Sequence, residues 1–183
     1  NNNGTWLGTL GGQWEKNSIY ELGWAGKFNG TNNYVSITDS NSLDVRDAIT
    51  IEAWIKTNTI TTPWTVVSKQ GAYLLWFSGA LKPIFHVFGT VPSYYLVCPT
   101  NPFVVGQWHH YVGTYNGSKQ QIFVDGKEIC SQDATGRITT NSVPLRLGAY
   151  TASSYLFNGN IDEVKIYSRG LTTAEIQKHY AEG

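Results

Sequence analysis

Between residues 108 and 130 the chain carries two tight-turn dipeptides, Asn116-Gly117 and Asp125-Gly126. Each is set between runs rich in aromatic and β-branched residues. Such a dipeptide accepts the positive φ angles of a two-residue hairpin, so it favours antiparallel neighbours. The segment reads as three strands in succession, 108–115, 120–124 and 127–130. Parallel pairing would need crossover connections of a dozen residues or more, and none stands between these runs. The same rhythm extends outward to strands over 49–54, 64–68, 73–77, 84–88, 145–149 and 161–167. Residues 78–83 make a hairpin connection between two of them. About ten or more short strands at this spacing predict an all-β fold, an antiparallel two-sheet sandwich or barrel. One helix is predicted over 172–180: Thr172 and Glu175 stand three apart as a capping box, and Ile176 and Tyr180 share a face.

The 183 residues suit one domain over 1–183, with 1–20 a Gly-rich, poorly patterned lead-in expected to be loop. Thirteen Lys and Arg balance thirteen Asp and Glu, which leaves no basic field to gather phosphates and argues against a nucleic-acid partner. With 41% hydrophobic residues the chain can build a core. No apolar run approaches the roughly 20 residues that span a bilayer, so membrane insertion is not expected. The low-charge, Asn- and Thr-rich composition points to a secreted or cell-surface setting. Cys98 and Cys130 each end a predicted strand and are compatible with a bridge or with two buried thiols.

Five blocks carry a resemblance. They are residues 28–35 (FNGTNNYV), 49–55 (ITIEAWI), 107–115 (QWHHYVGTY), 122–127 (IFVDGK) and 157–171 (FNGNIDEVKIYSRGL). In that order they resemble a laminin-G-like jelly roll of the concanavalin A-like lectin/glucanase superfamily. The resemblance implies two stacked antiparallel sheets, one of them concave, and covers nearly the whole chain. The family's usual opening strand is not recognised in the sequence. The fold hosts sugar binders, adhesion modules and enzymes alike, so function has to be argued from sites.

Catalysis of glycoside hydrolysis needs two carboxylates flanking one bond. Asp162 and Glu163 are adjacent on a predicted strand and point to opposite faces, as do His109 and His110. Glu52 stands alone among apolar residues, and the plainer reading is a carboxylate held by strand partners. No enzyme is therefore expected.

For a metal, the turn Asn29-Gly30-Thr31-Asn32-Asn33 offers the oxygens that calcium prefers. The resemblance implies a structural Ca2+ held by Asn29, Gly30 and Asn33 together with Asp162. Many relatives have Asp where this chain has Asn29, which lowers the expected affinity. The alternative is a tight Asn-rich turn without an ion.

Sugars present flat apolar faces rimmed by hydroxyls, and aromatic rings with polar neighbours bind them. Residues 73–77 and 84–88 are apolar on both alternating faces, where a strand with one solvated face would alternate with polar residues. Either both faces are covered or one lines a ligand cleft. Aromatic residues also sit in or at the end of predicted loops, at Trp64 just after Pro63, at Tyr94 and Tyr95, and at Tyr150 and Tyr155. The expected carbohydrate contacts are Trp64, Trp76, His86, Tyr94, Tyr95, Asn101 and Tyr150, with Gln70 as a further reader of hydroxyls. The expected function is a non-catalytic carbohydrate-binding module of a larger secreted or surface protein. Its partners are a glycan or polysaccharide, and other domains of the same chain. The competing expectation is a protein-adhesion or structural domain without a sugar site.

Overall fold

A computed structural model describes residues 2–9, 12–16, 23–59, 63–92 and 95–183. In chain order the first strands are β1 (Gly4–Leu7), β2 (Trp14–Glu15), β3 (Ala25–Asn29), β4 (Tyr34–Ile37) and β5 (Ile49–Thr57). Next come β6 (Trp64–Lys69), β7 (Tyr73–Phe77), β8 (Pro83–Val87), β9 (Thr90–Val91) and β10 (Leu96–Val97). The series closes with β11 (Trp108–Tyr115), β12 (Lys119–Val124), β13 (Lys127–Asp133), β14 (Thr135–Gly136), β15 (Leu145–Leu147), β16 (Asn158–Tyr167) and helix α1 (Thr173–Glu182).

Two antiparallel sheets stack face to face. The first has the order β1-β4-β15-β6-β7-β8-β10, and the second β13-β12-β11-β5-β16-β3-β2. The expected hairpins form. Asp125 and Gly126 both take positive φ, 51° and 73°, which turns β12 tightly into β13. The inner faces are read directly from strand alternation. Ile49, Ile51, Ala53 and Ile55 of β5 point inward, as do Tyr73, Leu75 and Phe77 of β7, and all are buried. The sheets approach so closely at Gly113 that a Cβ there would lie 2.4 Å from a ring carbon of Phe85. Only glycine fits that position.

The sequence reading of the lead-in needs correction. Residues Gly4–Leu7 are a strand, paired to β4 with Trp6 opposite Val35, and Trp14–Glu15 adds an edge to the second sheet. Trp6 seals this end of the sandwich against Phe28, ring centroids 4.9 Å apart. An opening strand is thus present; a Gly- and Asn-rich edge pairing through its backbone leaves little side-chain pattern to recognise.

The opposite edge is bound in two ways. β9 pairs with β14, and Cys98, just after β10, is disulfide-bonded to Cys130 of β13 with Cα atoms 5.5 Å apart. On the outer face of the second sheet lies α1. Thr172 and Glu175 form the predicted capping box, and Ile176 packs with Val112, Phe123 and Leu171.

Candidate functional site: an aromatic cleft on the outer face of the first sheet

β7 and β8 are apolar on both faces for two different reasons. Tyr73, Leu75, Phe77, Phe85 and Val87 fill the core. The alternate residues face outward, with Leu74 opposite His86 and Trp76 opposite Ile84 in register. Leu74, Trp76, His86 and Phe88 form the floor of a cleft of about 280 Å³ whose walls are Tyr95, Tyr150 and Tyr155. The core side holds this floor in place. The Tyr111 hydroxyl reaches across from the second sheet, accepts the Ile84 N–H at 2.9 Å, and lies 2.9 Å from the carbonyls of Trp76 and Ile84, toward which it donates.

The rings meet mostly at angles. Trp76 lies 6.2 Å from Tyr95 at 73° and 5.9 Å from Tyr155 at 42°. His86 stacks on Phe88 at 3.8 Å and meets Tyr95 edge-on at 5.6 Å. Tyr95 and Tyr155 keep 48% and 44% of their surface exposed, so their rings are available to a ligand. Burial pushes the His86 imidazole down to about 4, and near neutral pH it is an uncharged donor and acceptor. Among the described residues, no carboxylate, ammonium or guanidinium lines the cleft.

The loop carrying Tyr150 and Tyr155 is tied down. Tyr150 N donates to Ser154 O at 3.0 Å, the hydroxyls of Thr151 and Ser154 are 2.6 Å apart, and Thr65 N donates to Tyr155 O at 3.0 Å. Ser68 of β6 adds a bond to the Tyr150 carbonyl at 3.3 Å. Trp76 Nε1 and the hydroxyl of Thr65, its cross-strand neighbour, are buried without a hydrogen-bond partner among the described residues.

Of the expected contacts, Trp76, His86, Tyr95 and Tyr150 come together here. Sequence reasoning did not include Leu74 and Phe88 among them, although each lies two residues from a chosen one and so on the same strand face. Three expectations are corrected. Trp64 is not an exposed loop ring: it opens β6, pairs with Phe77, is 2% exposed and packs on Phe157. Asn101 lies outside the cleft, its side chain accepting the Phe103 N–H at 2.8 Å. Gln70 follows β6 and is likewise not part of the lining; its carbonyl accepts from Asn141. Tyr94 lies outside the described residues.

The residues expected around calcium are offset along the sheet. Strand register places Asn29 opposite Asn158, while Asp162 pairs with Trp54, four residues further along β16. At the rise of an antiparallel strand that separation is ~13 Å, too far for one ion's coordination sphere. The turn's oxygens are also engaged. Asn29 Oδ1 accepts the N–H groups of Thr31, Asn32 and Asn33, and Asn33 Oδ1 accepts that of Asn29. Asp162 Oδ1 accepts the Glu163 N–H at 2.9 Å. Asn29 and Asp162 are therefore not level in the sheet, and the turn is held by its own amides.

A second polar cluster lies under α1, on the far side of the molecule. Glu52 is buried, and its oxygens accept from the Tyr167 hydroxyl and contact His179 Nδ1, each at 3.0 Å, with His110 Nε2 at 3.7 Å. Burial disfavours the Glu52 charge and is the largest single influence, but the bonds from His110, His179 and Tyr167 together outweigh it and pull the carboxyl down to about 2. His109 is likewise engaged within the fold, to Asp125 Oδ2 at 2.8 Å and to Val104 N at 2.9 Å.

Residues 29–177 match the family described as the concanavalin A-like lectin/glucanases superfamily, of laminin G type. No curated protein matches the chain in sequence. Among solved structures it is similar to domain 4 of AbnA, an extracellular arabinanase from Geobacillus stearothermophilus, in complex with arabinotriose. That likeness has TM-score 0.73 and 20% identity, and covers 96% of this chain and 86% of that one. The binding domain of paraclostridial mosquitocidal protein 1 is similar at TM-score 0.72 and 14% identity, over 100% of this chain and 48% of that one. The binding domain of botulinum neurotoxin DC in complex with SialylT is similar at TM-score 0.71 and 12% identity, over 99% of this chain and 46% of that one. The chain therefore spans about half the length of the toxin domains. At these identities the likeness speaks for the fold.

Proposed function

Because the chain belongs to the concanavalin A-like lectin/glucanase superfamily, a fold that carries several functions, we propose from its own cleft that it is a non-catalytic carbohydrate-binding module of a secreted or surface protein. The observation that carries this reading is the convergence of Trp76, Tyr95, Tyr150, Tyr155 and His86 on one cleft of about 280 Å³. Exposed rings offer stacking area to the CH faces of a sugar, while phenolic hydroxyls and a neutral imidazole serve its hydroxyl rim. The complex of AbnA domain 4 with arabinotriose supports the reading, as a similar fold that holds a neutral oligosaccharide. Glu52 supports the absence of catalysis: it is buried and engaged by Tyr167 and His179 on the sheet face opposite the cleft. A glycosidase needs two carboxylates around one bond.

Affinity gel electrophoresis tests the proposal, with linear arabinan, xylan, mixed-linkage β-glucan and galactan in separate gels. The expected result is retardation in at least one gel, lost in Trp76→Ala and in Tyr95→Ala. Free migration in all four gels, together with no signal on a glycan array, would overturn it and favour the adhesion reading.

A further inference from the structure

The aromatic cleft does not end at Tyr155. The same ring also lines a second, broader depression of about 450 Å³, whose other walls are Gly30, Thr31, Pro63, Ser153 and Leu156. Tyr155 is thus a ridge between two adjoining clefts, with 44% of its surface exposed.

Its backbone explains how the ridge is held. Tyr155 has φ of 51°, in the left-handed region that a bulky side chain rarely adopts. The conformation persists because its carbonyl is bonded to Thr65 N and the preceding residues are clasped by the Thr151–Ser154 pair. Strain kept in place by surrounding bonds is a recurrent property of ligand clamps. The opposite wall of the second cleft is equally fixed, since Asn29 Oδ1 gathers three consecutive amides and so sets the position of Thr31.

The two clefts differ in chemistry. The first is lined by rings. The second presents the exposed hydroxyl-bearing residues Thr31 and Ser153 beside the small Gly30 and the apolar Pro63 and Leu156. Among the described residues, neither is lined by a carboxylate, an ammonium or a guanidinium. A charged sugar entering them would lose water without gaining a counter-charge.

We infer that the two clefts are consecutive subsites of one groove, and that the ligand is an uncharged linear glycan bound along several sugar units across Tyr155, not by a single terminal residue. This rests on the carbohydrate reading proposed above. One part of the chain stacks in the aromatic cleft; the next units pass over the Tyr155 ring and meet the hydroxyls of Thr31 and Ser153.

The test is calorimetric titration of the protein with arabino-, xylo-, gluco- and galacto-oligosaccharides, each as a ladder from monosaccharide to hexasaccharide. In the series that binds, affinity is expected to rise from disaccharide to hexasaccharide by roughly tenfold, the yield of one or two added hydrogen-bonded or stacked contacts. The double variant Thr31→Val, Ser153→Ala should flatten that rise and leave disaccharide affinity unchanged. Both positions are exposed, so its melting temperature should match that of the parent. Affinity that is level beyond the disaccharide would overturn the groove while leaving the sugar site intact. So would a double variant that weakens short and long ligands equally. Failure of every ladder to bind would overturn the sugar site itself and the groove with it.

Discussion

Trp64 and Trp76 lie on neighbouring strands of one sheet and face opposite ways: Trp64 is in register with Phe77 and points into the core, whereas Trp76 is in register with Thr65 and points outward into the cleft. The two tryptophans therefore have different tasks, and the difference is measurable. Trp64→Ala removes a core ring, a change that costs about 3–5 kcal/mol. For a domain of this size that is a fall of about 6–20 °C in melting temperature. Ligand retention of the folded fraction should be unchanged. Trp76→Ala should do the reverse, with a fall of a few degrees and loss of retention. Thermal melts alongside affinity gels separate the two.

Acid should weaken the fold in two stages. His86 has a folded-state value of about 4, below its ordinary 6.5, because burial disfavours the charged ring. The unfolded chain therefore takes up this proton first, and stability falls as pH drops from about 6.5 toward 4. Glu52 is also depressed, to about 2 from 4.5, so its contribution is complete above pH 4.5 and is lost as pH falls from there toward 2. Denaturant midpoints measured across this range should show both stages. His86→Phe should remove the upper stage and Glu52→Gln the lower.

The Cys98–Cys130 bond closes a loop of sequence separation 32 between the two sheets. By loop length it is expected to contribute about 2–4 kcal/mol. The double variant Cys98→Ala, Cys130→Ala should therefore melt about 4–16 °C below the parent. A reductant should lower the melting point of the parent and leave that of the double variant unchanged.

The Asn29 turn gives a sharp contrast between an ion and a hydrogen-bond anchor. With its amides already gathered by Asn29 Oδ1, excess calcium or a chelator should leave the melting temperature unchanged. Asn29→Ala should lower stability by about 1 kcal/mol whether or not calcium is present, the ordinary worth of such bonds. A calcium-dependent rise in melting temperature that disappears in Asp162→Ala would contradict this account.

Much of the fold was legible because its determinants are local. Asn116-Gly117 and Asp125-Gly126 dictate tight turns wherever they stand, and Thr172 with Glu175 caps a helix through contacts three residues long. The cleft was legible in part, since the doubled apolar faces of 73–77 and 84–88 already required a cover or a ligand for the outer residues. What escaped was register. Whether the Trp64 ring faces the core or the solvent depends on its pairing with Phe77, in a strand pair with a bulge between Thr65 and Val67. Asp162 was assigned to the Asn29 turn as though strand order brought them level. Their true offset is fixed where Asn158, not Asp162, meets Asn29. Such offsets depend on long-range partners that no short stretch of residues encodes.

The two sides of the sandwich are fastened differently. At the edge of β10 and β13 the Cys98–Cys130 bond and the β9–β14 pair fasten sheet to sheet, while the edge of β1 and β2 has an apolar gap of about 410 Å³ between Trp6, Trp14, Ile37, Leu145 and Ile166. The molecule is bound like a book, with a covalent spine and a fore-edge closed by the rings of Trp6, Trp14 and Phe28. Trp76 and His86 sit on β7 and β8, toward the spine, so the stacking platform is built beside the covalent fastening.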